Sequence, residues 1–234
     1  MTTLLLTSFF VPLKIPAVAR HQAPSRHPDS SHNKAGLNQP KRAAACQRGR
    51  MEIKGSILES RLQFVKERFG PTALEDVLSA LPASDQALLR KPLNGAGWYH
   101  FQTGQHLDQA IVQVIGRGDA RLFEEMGAAS AQQNLSGIQK FYLDPGNPQG
   151  FMLRAPLIYH VYYDKGWRDY KPTGATTGVM TTYEAETYSA ADCMTVIGWY
   201  KQALKMCGAR NVEMVEDACR AKGGDCCRYF VTWS

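Results

Sequence analysis

From residue 51 onward the apolar positions recur first with a helical period and then with a strand period. Leu58, Leu62, Val65 and Phe69 fall on one face of a helix, and Gly70-Pro71 predicts its stop. A second helix is expected over residues 72–81, ended by Pro82, and Ser84-Asp85 opens a short capped turn of helix reaching residue 90. Residues 106–115 and 119–135 carry the next two helical patterns, separated by Gly116-Arg-Gly118, with Asp119 in the N-cap position. Asp144-Pro-Gly-Asn-Pro148 is a loop signal, and residues 151–163 read as a helix rich in aromatic side chains.

The period then changes. Residues 166–170 and 178–188 place β-branched and aromatic side chains in near alternation, with 171–174 as the turn between them. Residues 190–206 return to a helical pattern, capped by Ser189 and closed by Gly208 in the position of a C-cap glycine. Strands are expected over 211–215 and 226–233, joined by a hairpin loop at 222–225. The prediction is an α+β fold: a helical N-terminal half followed by β-β-α-β-β, its antiparallel sheet packed on the helices, in one domain over 51–234.

Composition alters this picture only ahead of residue 51. The first fifty residues hold eight Lys or Arg against a single acid, Asp29, and from residue 22 they are mostly polar or small. Such a segment buries too little apolar surface to offset its chain entropy, so a disordered leader is expected. It carries +7 where the whole chain carries +6, which leaves the rest at −1. The basic balance therefore belongs to the leader and gives no case for direct nucleic-acid binding by the domain. Leu4, Leu5 and Leu6 open an apolar run, but Lys14 and Arg20 follow it, whereas a signal peptide carries its charge in front. A transit peptide fits the same composition; the favoured expectation is an upstream reading frame, with Met51 opening the patterned sequence. No window in 51–234 approaches the roughly eighteen apolar residues of a membrane span, and a cytoplasmic location is expected.

Five cysteines fall in the patterned part: Cys193, Cys207, Cys219, Cys226 and Cys227. In a cytosolic chain, thiols are metal ligands or small buried hydrophobes before they are disulfides. A hairpin through Gly223-Gly224 would bring Cys219 and Cys227 together, with Glu216 three residues before Cys219. Cys193 stands in the first turn of the preceding helix, where the thiolate is favoured. Three thiolates and a carboxylate would close a tetrahedral Zn²⁺ shell, the pattern of a structural site. Scattered buried thiols would account for the same residues. Cys226 rivals Cys227, because neighbours on a strand point to opposite faces.

The run from Cys193-Met-Thr-Val-Ile-Gly-Trp-Tyr200 to Glu216-Asp-Ala-Cys219 and Cys226-Cys227-Arg-Tyr-Phe230 resembles 4-vinyl-reductase-type domains, including the phenol sensors of bacterial transcription activators. The resemblance implies zinc held with the spacing Cys-x22-Glu-x2-Cys-x7-Cys, which falls here on Cys193, Glu216, Cys219 and Cys227. Lys54-Gly-Ser-Ile-Leu-Glu-Ser, Gly97-Trp-Tyr99 and Arg117-Gly-Asp119 look like a bacterial family of stand-alone proteins similar to these sensors and to heme-NO-binding domains. The same superfamily takes in trafficking-complex (TRAPP) subunits with a lipid-accepting tunnel.

A small-molecule sensor is the expected function, binding a small apolar or aromatic molecule in a pocket to which Trp98, Tyr142, Tyr159, His160 and Trp167 are assigned. Ordinary core packing would explain each of these five as well. A dimeric protein-interaction module is the alternative, and a homodimer is expected in either case. Heme is not expected, since the Tyr-x-Ser-x-Arg motif that grips its propionates does not occur. Nor is an enzyme: there is no Gly-x-Gly-x-x-Gly after a strand and no phosphate loop.

Overall fold

The computed structural model describes residues 51–185 and 190–234. The leader, the proposed Ser189 cap and the end of the strand expected over 178–188 lie outside these residues. The order is β1 (Glu52–Lys54), α1 (Gly55–Ser79), α2 (Ala83–Leu89), β2 (Trp98–His100), α3 (Phe101–Val114), α4 (Arg121–Ser136), α5 (Pro148–Met152) and α6 (Ala155–Tyr162). There follow β3 (Trp167–Gly174), β4 (Thr177–Tyr183), α7 (Ala190–Met206), β5 (Glu213–Ala218) and β6 (Cys226–Thr232). The strands after α6 form one antiparallel sheet in the order β3-β4-β6-β5, as an α+β fold with a helical first half requires. None of the described helices is long and apolar enough to cross a membrane.

Several boundaries differ from the sequence expectation. The break at Gly70 does not differ: at φ 89° and ψ 171° it ends the first helix as expected, and Pro71 opens the second, the two making up α1 to Ser79. A proline lacks only the N–H that the first turn leaves unbonded, so it opens a helix as readily as it ends one. The aromatic helix expected over 151–163 divides into α5 and α6, with Pro156 in the first turn of α6. The turn placed at 171–174 is strand: β3 continues through Pro172 to Gly174, tolerating the proline because β3 is a sheet edge, and the ladder shifts register there. The paired strands β1 and β2 were not foreseen; with three residues each they carry no period to read.

One core joins the helices to the inner face of the sheet, with Tyr159, Tyr200, Tyr229 and Phe151 among its largest sealed side chains. Helix α7 lies between α4 and the sheet. It meets α4 at two glycines: a Cβ on Gly198 would sit 1.9 Å from the Glu124 carbonyl oxygen, and one on Gly127 would sit 2.0 Å from that of Thr195. Only glycine lets the two backbones approach so closely. Gly208, at φ 96°, closes α7 as expected, with Ala209 N–H donating to the Leu204 carbonyl.

Candidate metal centre and adjoining cavity

Cys193 lies one turn into α7 and faces the sheet. On β6 the alternation is regular: Cys227 is buried on the inner face with Tyr229 and Val231, while Cys226 points the other way and is half-buried. It is thus Cys227, opposite Thr182 of β4, that faces α7. Strand β5 does something the sequence pattern does not announce. Glu216 pairs with Tyr229 and Ala218 with Arg228, so Asp217 is an extra residue and the strand bulges. The bulge changes the parity of the chain and lets both Glu216 and Cys219 face inward. The turn that follows ends at Gly223 with φ 89°, and Gly224 N–H donates to the Cys219 carbonyl at 2.9 Å.

The result is a cluster in which one donor atom each from Cys193, Glu216, Cys219 and Cys227 lies within 4.8 Å of all the others. The Cys193 sulfur is 3.6 Å from those of Cys219 and Cys227. A disulfide requires about 2.05 Å. Zn–S bonds of about 2.3 Å arranged tetrahedrally put sulfurs about 3.8 Å apart, close to what is found here. Glu216 Oε1 is sealed from solvent without a hydrogen-bond partner among the described residues, and Oε2 lies 3.7 Å from Lys222 Nζ. An unbonded buried carboxylate oxygen costs about 1–3 kcal/mol or more unless something neutralises it. The shared hydrogen bond with Cys227, then burial and the nearby Asp192, push the Cys193 thiol far above its ordinary value, and burial raises Cys219 as well. Three thiolates and a carboxylate do not coexist here without a cation; the donor set fits a soft divalent metal. Cys207 is buried elsewhere, its sulfur accepting from Asp144 N–H at 3.5 Å.

The other face of α7 borders a cavity of about 40 Å³, which at ~10–15 Å³ each holds about three waters. Its walls come from α1 (Ile57, Arg61), α4 (Gly127, Ser130, Asn134), α6 (Ile158, Tyr159, Tyr162), β3 (Arg168) and α7 (Thr195, Val196, Trp199, Tyr200), with Tyr163. Two guanidinium groups are buried in them. Arg61 is bidentate to Asp108, with Nε to Oδ1 at 2.6 Å and Nη2 to Oδ2 at 3.3 Å. Arg168 lies over the rings of Tyr159 and Tyr200, 4.9 and 5.2 Å from their centroids, and donates to Thr182 Oγ1 and the Tyr200 hydroxyl. A smaller void of about 10 Å³ separates Arg168 from Cys227, with Asp192 and Val196 also on its walls. Burial lifts the Asp192 carboxyl to about 7, against the pull of Arg61 and, more weakly, Arg168.

Of the five aromatic residues assigned to a pocket from the sequence, only Tyr159 lines this cavity. Trp98 is 40% exposed beneath the Lys54 ammonium, 3.7 Å from its ring. Trp167 is 44% exposed on the outer face of the sheet, stacked on Tyr183 at 4.1 Å. Tyr142 packs at a tilt against Phe141, and His160 is exposed with its ring edge-on to Tyr159. These four lie outside this cavity for one reason: an aromatic ring packs equally well on a surface or in a core, and composition does not say which way it faces. The missed residues did leave a signal. Arg61 follows Ile57 and Leu58 by four and three positions on the apolar face of α1, and Arg168 shares strand parity with buried Tyr170.

No protein-family model matches the sequence, and no curated protein is similar to it. Solved structures do match. The Fe(II) unliganded H-NOX protein from K. algicida has a TM-score of 0.60 at 11% identity, over 77% of this chain and 96% of that one. The Fe(II)NO state of an H-NOX protein from S. oneidensis gives 0.58 at 12%, over 77% and 99%. A structure solved to probe the function of heme distortion in the H-NOX family gives 0.61 at 10%, over 77% and 95%. At these identities the likeness is one of fold, and the fold of residues 51–234 is that of H-NOX domains.

Proposed function

We propose that the chain is a small-molecule-binding sensory domain of the 4-vinyl-reductase type, in which a structural zinc ion fixes the start of α7 and the cavity beside that helix takes the ligand. The observation that carries this reading is the double duty of α7: within eight residues it offers Cys193 to the metal cluster and Thr195, Val196, Trp199 and Tyr200 to the cavity. Cys193, Glu216, Cys219 and Cys227 would hold the zinc, whose charge would stabilise three thiolates and the orphaned Glu216 oxygen. The void between Arg168 and Cys227 gives a ligand-induced shift of the cavity wall a short route to the cluster.

The proposed ligand is a small apolar or aromatic molecule, and the proposed protein a cytoplasmic homodimer that binds rather than catalyses, without direct nucleic-acid contact. Exposed Trp167, Val215 and Phe230 on the outer face of the sheet favour association. The same face would serve the alternative, an interaction module without ligand.

Heme is the second reading, favoured by the H-NOX fold and by the heme named for one of these neighbours. The cavity walls fit it poorly. They include no histidine, cysteine or methionine, and His100, His106 and His160 lie elsewhere. The Tyr159 hydroxyl is committed to the Lys165 carbonyl at 2.6 Å, and that of Tyr162 to Gln139. Metal analysis and an absorbance spectrum of the purified chain separate the readings: about one zinc per chain with no Soret band supports the proposal, and a Soret band in stoichiometric amount overturns it.

A further inference from the structure

Among the described residues, two guanidinium groups border the cavity, and they are not equivalent. Arg61 has its counter-charge in Asp108. Arg168 is 6% exposed, and among the described residues no carboxylate lies within ion-pair distance of it; its partners are a threonine hydroxyl, a tyrosine hydroxyl and two aromatic rings. Those bonds occupy Nε and Nη1. Nη2 makes no hydrogen bond within the described residues, and it is not sealed in protein either, since the one sealed and unpartnered side-chain atom there is Glu216 Oε1. Arg168 lines both this cavity and the smaller void beside Cys227, and an unsealed nitrogen of a buried residue opens on such a space.

A buried cation with no carboxylate at ion-pair distance is costly, and a guanidinium meets the two oxygens of a carboxylate with two parallel hydrogen bonds. We infer that the cavity is the seat of a small organic carboxylate, its carboxyl group held by Arg168 and its apolar body lying against Ile57, Ile158, Val196 and Trp199. This deepens the proposed function, since it presupposes that the cavity is the ligand site. Ser130 and Asn134 of α4, joined by a hydrogen bond at 3.3 Å, line the same cavity and add polar groups that can orient a ligand in a largely apolar pocket. The volume of about 40 Å³ suits an acid of two or three carbons; a ring-bearing acid requires the walls to move apart.

The test is calorimetric titration of the full-length chain with sodium propionate and sodium benzoate, each against its neutral amide, at constant ionic strength. A saturable site that takes at least one acid about tenfold or more tighter than its amide is expected, because an ionised group strengthens the bonds that hold it. Arg168→Met should bring acid and amide to equal affinity, and Arg168→Lys should keep part of the preference. Should Arg168→Met fail to fold, the acid-to-amide ratio of the unmodified chain decides alone. Amides, or phenol, binding as well as or better than the acids would overturn the carboxylate assignment and leave the sensor reading standing. Binding of neither acids, amides nor phenol would overturn both.

Discussion

The sulfur of Cys193 lies 3.6 Å from that of Cys219, although one belongs to α7 and the other to the turn after β5, 26 residues on. The gap is too wide for a disulfide and close to the separation of two ligands on one zinc. Loss of one ligand should therefore be felt by the fold as well as by the metal. Cys219→Ser should lose the zinc and lower the thermal midpoint by several degrees or more, read by metal analysis and calorimetry. Cys207→Ser, at the far end of α7, should keep the full metal content.

The alternation of β6 makes a sharper comparison between neighbours. Cys227 faces the cluster and Cys226 the opposite side of the sheet. Cys226→Ser should retain zinc at the parent stoichiometry, and Cys227→Ser should retain none. Metal analysis of the two variants purified side by side checks this.

How much of this was legible in the sequence follows from how local each feature is. The four donors sit within two adjoining segments, a helix start and a hairpin, so the hairpin pointed Cys219 and Cys227 to one another, while the full set of four rested on the resemblance. Their joint inward aim did not follow from spacing, because it depends on the bulge at Asp217, which an alternating pattern conceals. The helix-then-sheet order was legible from the change of period. The cavity was not: α1, α4, α6, α7 and β3 build it from residues up to 143 positions apart, from Ile57 to Tyr200, and only tertiary packing decides which tyrosines turn inward. Trp98 and Trp167 fall outside the cavity for that reason, and the turn expected at 171–174 was misplaced because Pro172 is compatible with an edge strand.

The crossing of α4 and α7 should be intolerant of any side chain. Gly198→Ala and Gly127→Ala each place a methyl group against a backbone carbonyl that has no flexible end to yield. Each should cost about 1–3 kcal/mol or more, the range for overpacking a tight core. Urea denaturation gives the figure, and a loss under 0.5 kcal/mol would mean that the helices do not meet this closely.

The buried pair of Arg61 and Asp108 yields a prediction about partners. Asp108→Asn strands the guanidinium in the interior and should destabilise by about 3–5 kcal/mol. Replacing both, as Arg61→Met with Asp108→Leu, should cost less than the single change, since no charge is left unpaired. A double-mutant cycle by chemical denaturation measures the coupling.

X-ray absorption at the zinc edge of the purified chain tests the central claim most directly, because it reports the ligand atoms themselves. A shell of about three sulfurs at about 2.3 Å and one oxygen at about 2.0–2.2 Å is predicted for Cys193, Cys219, Cys227 and Glu216. A shell of nitrogen and oxygen alone, or a folded chain that carries no zinc, would contradict it.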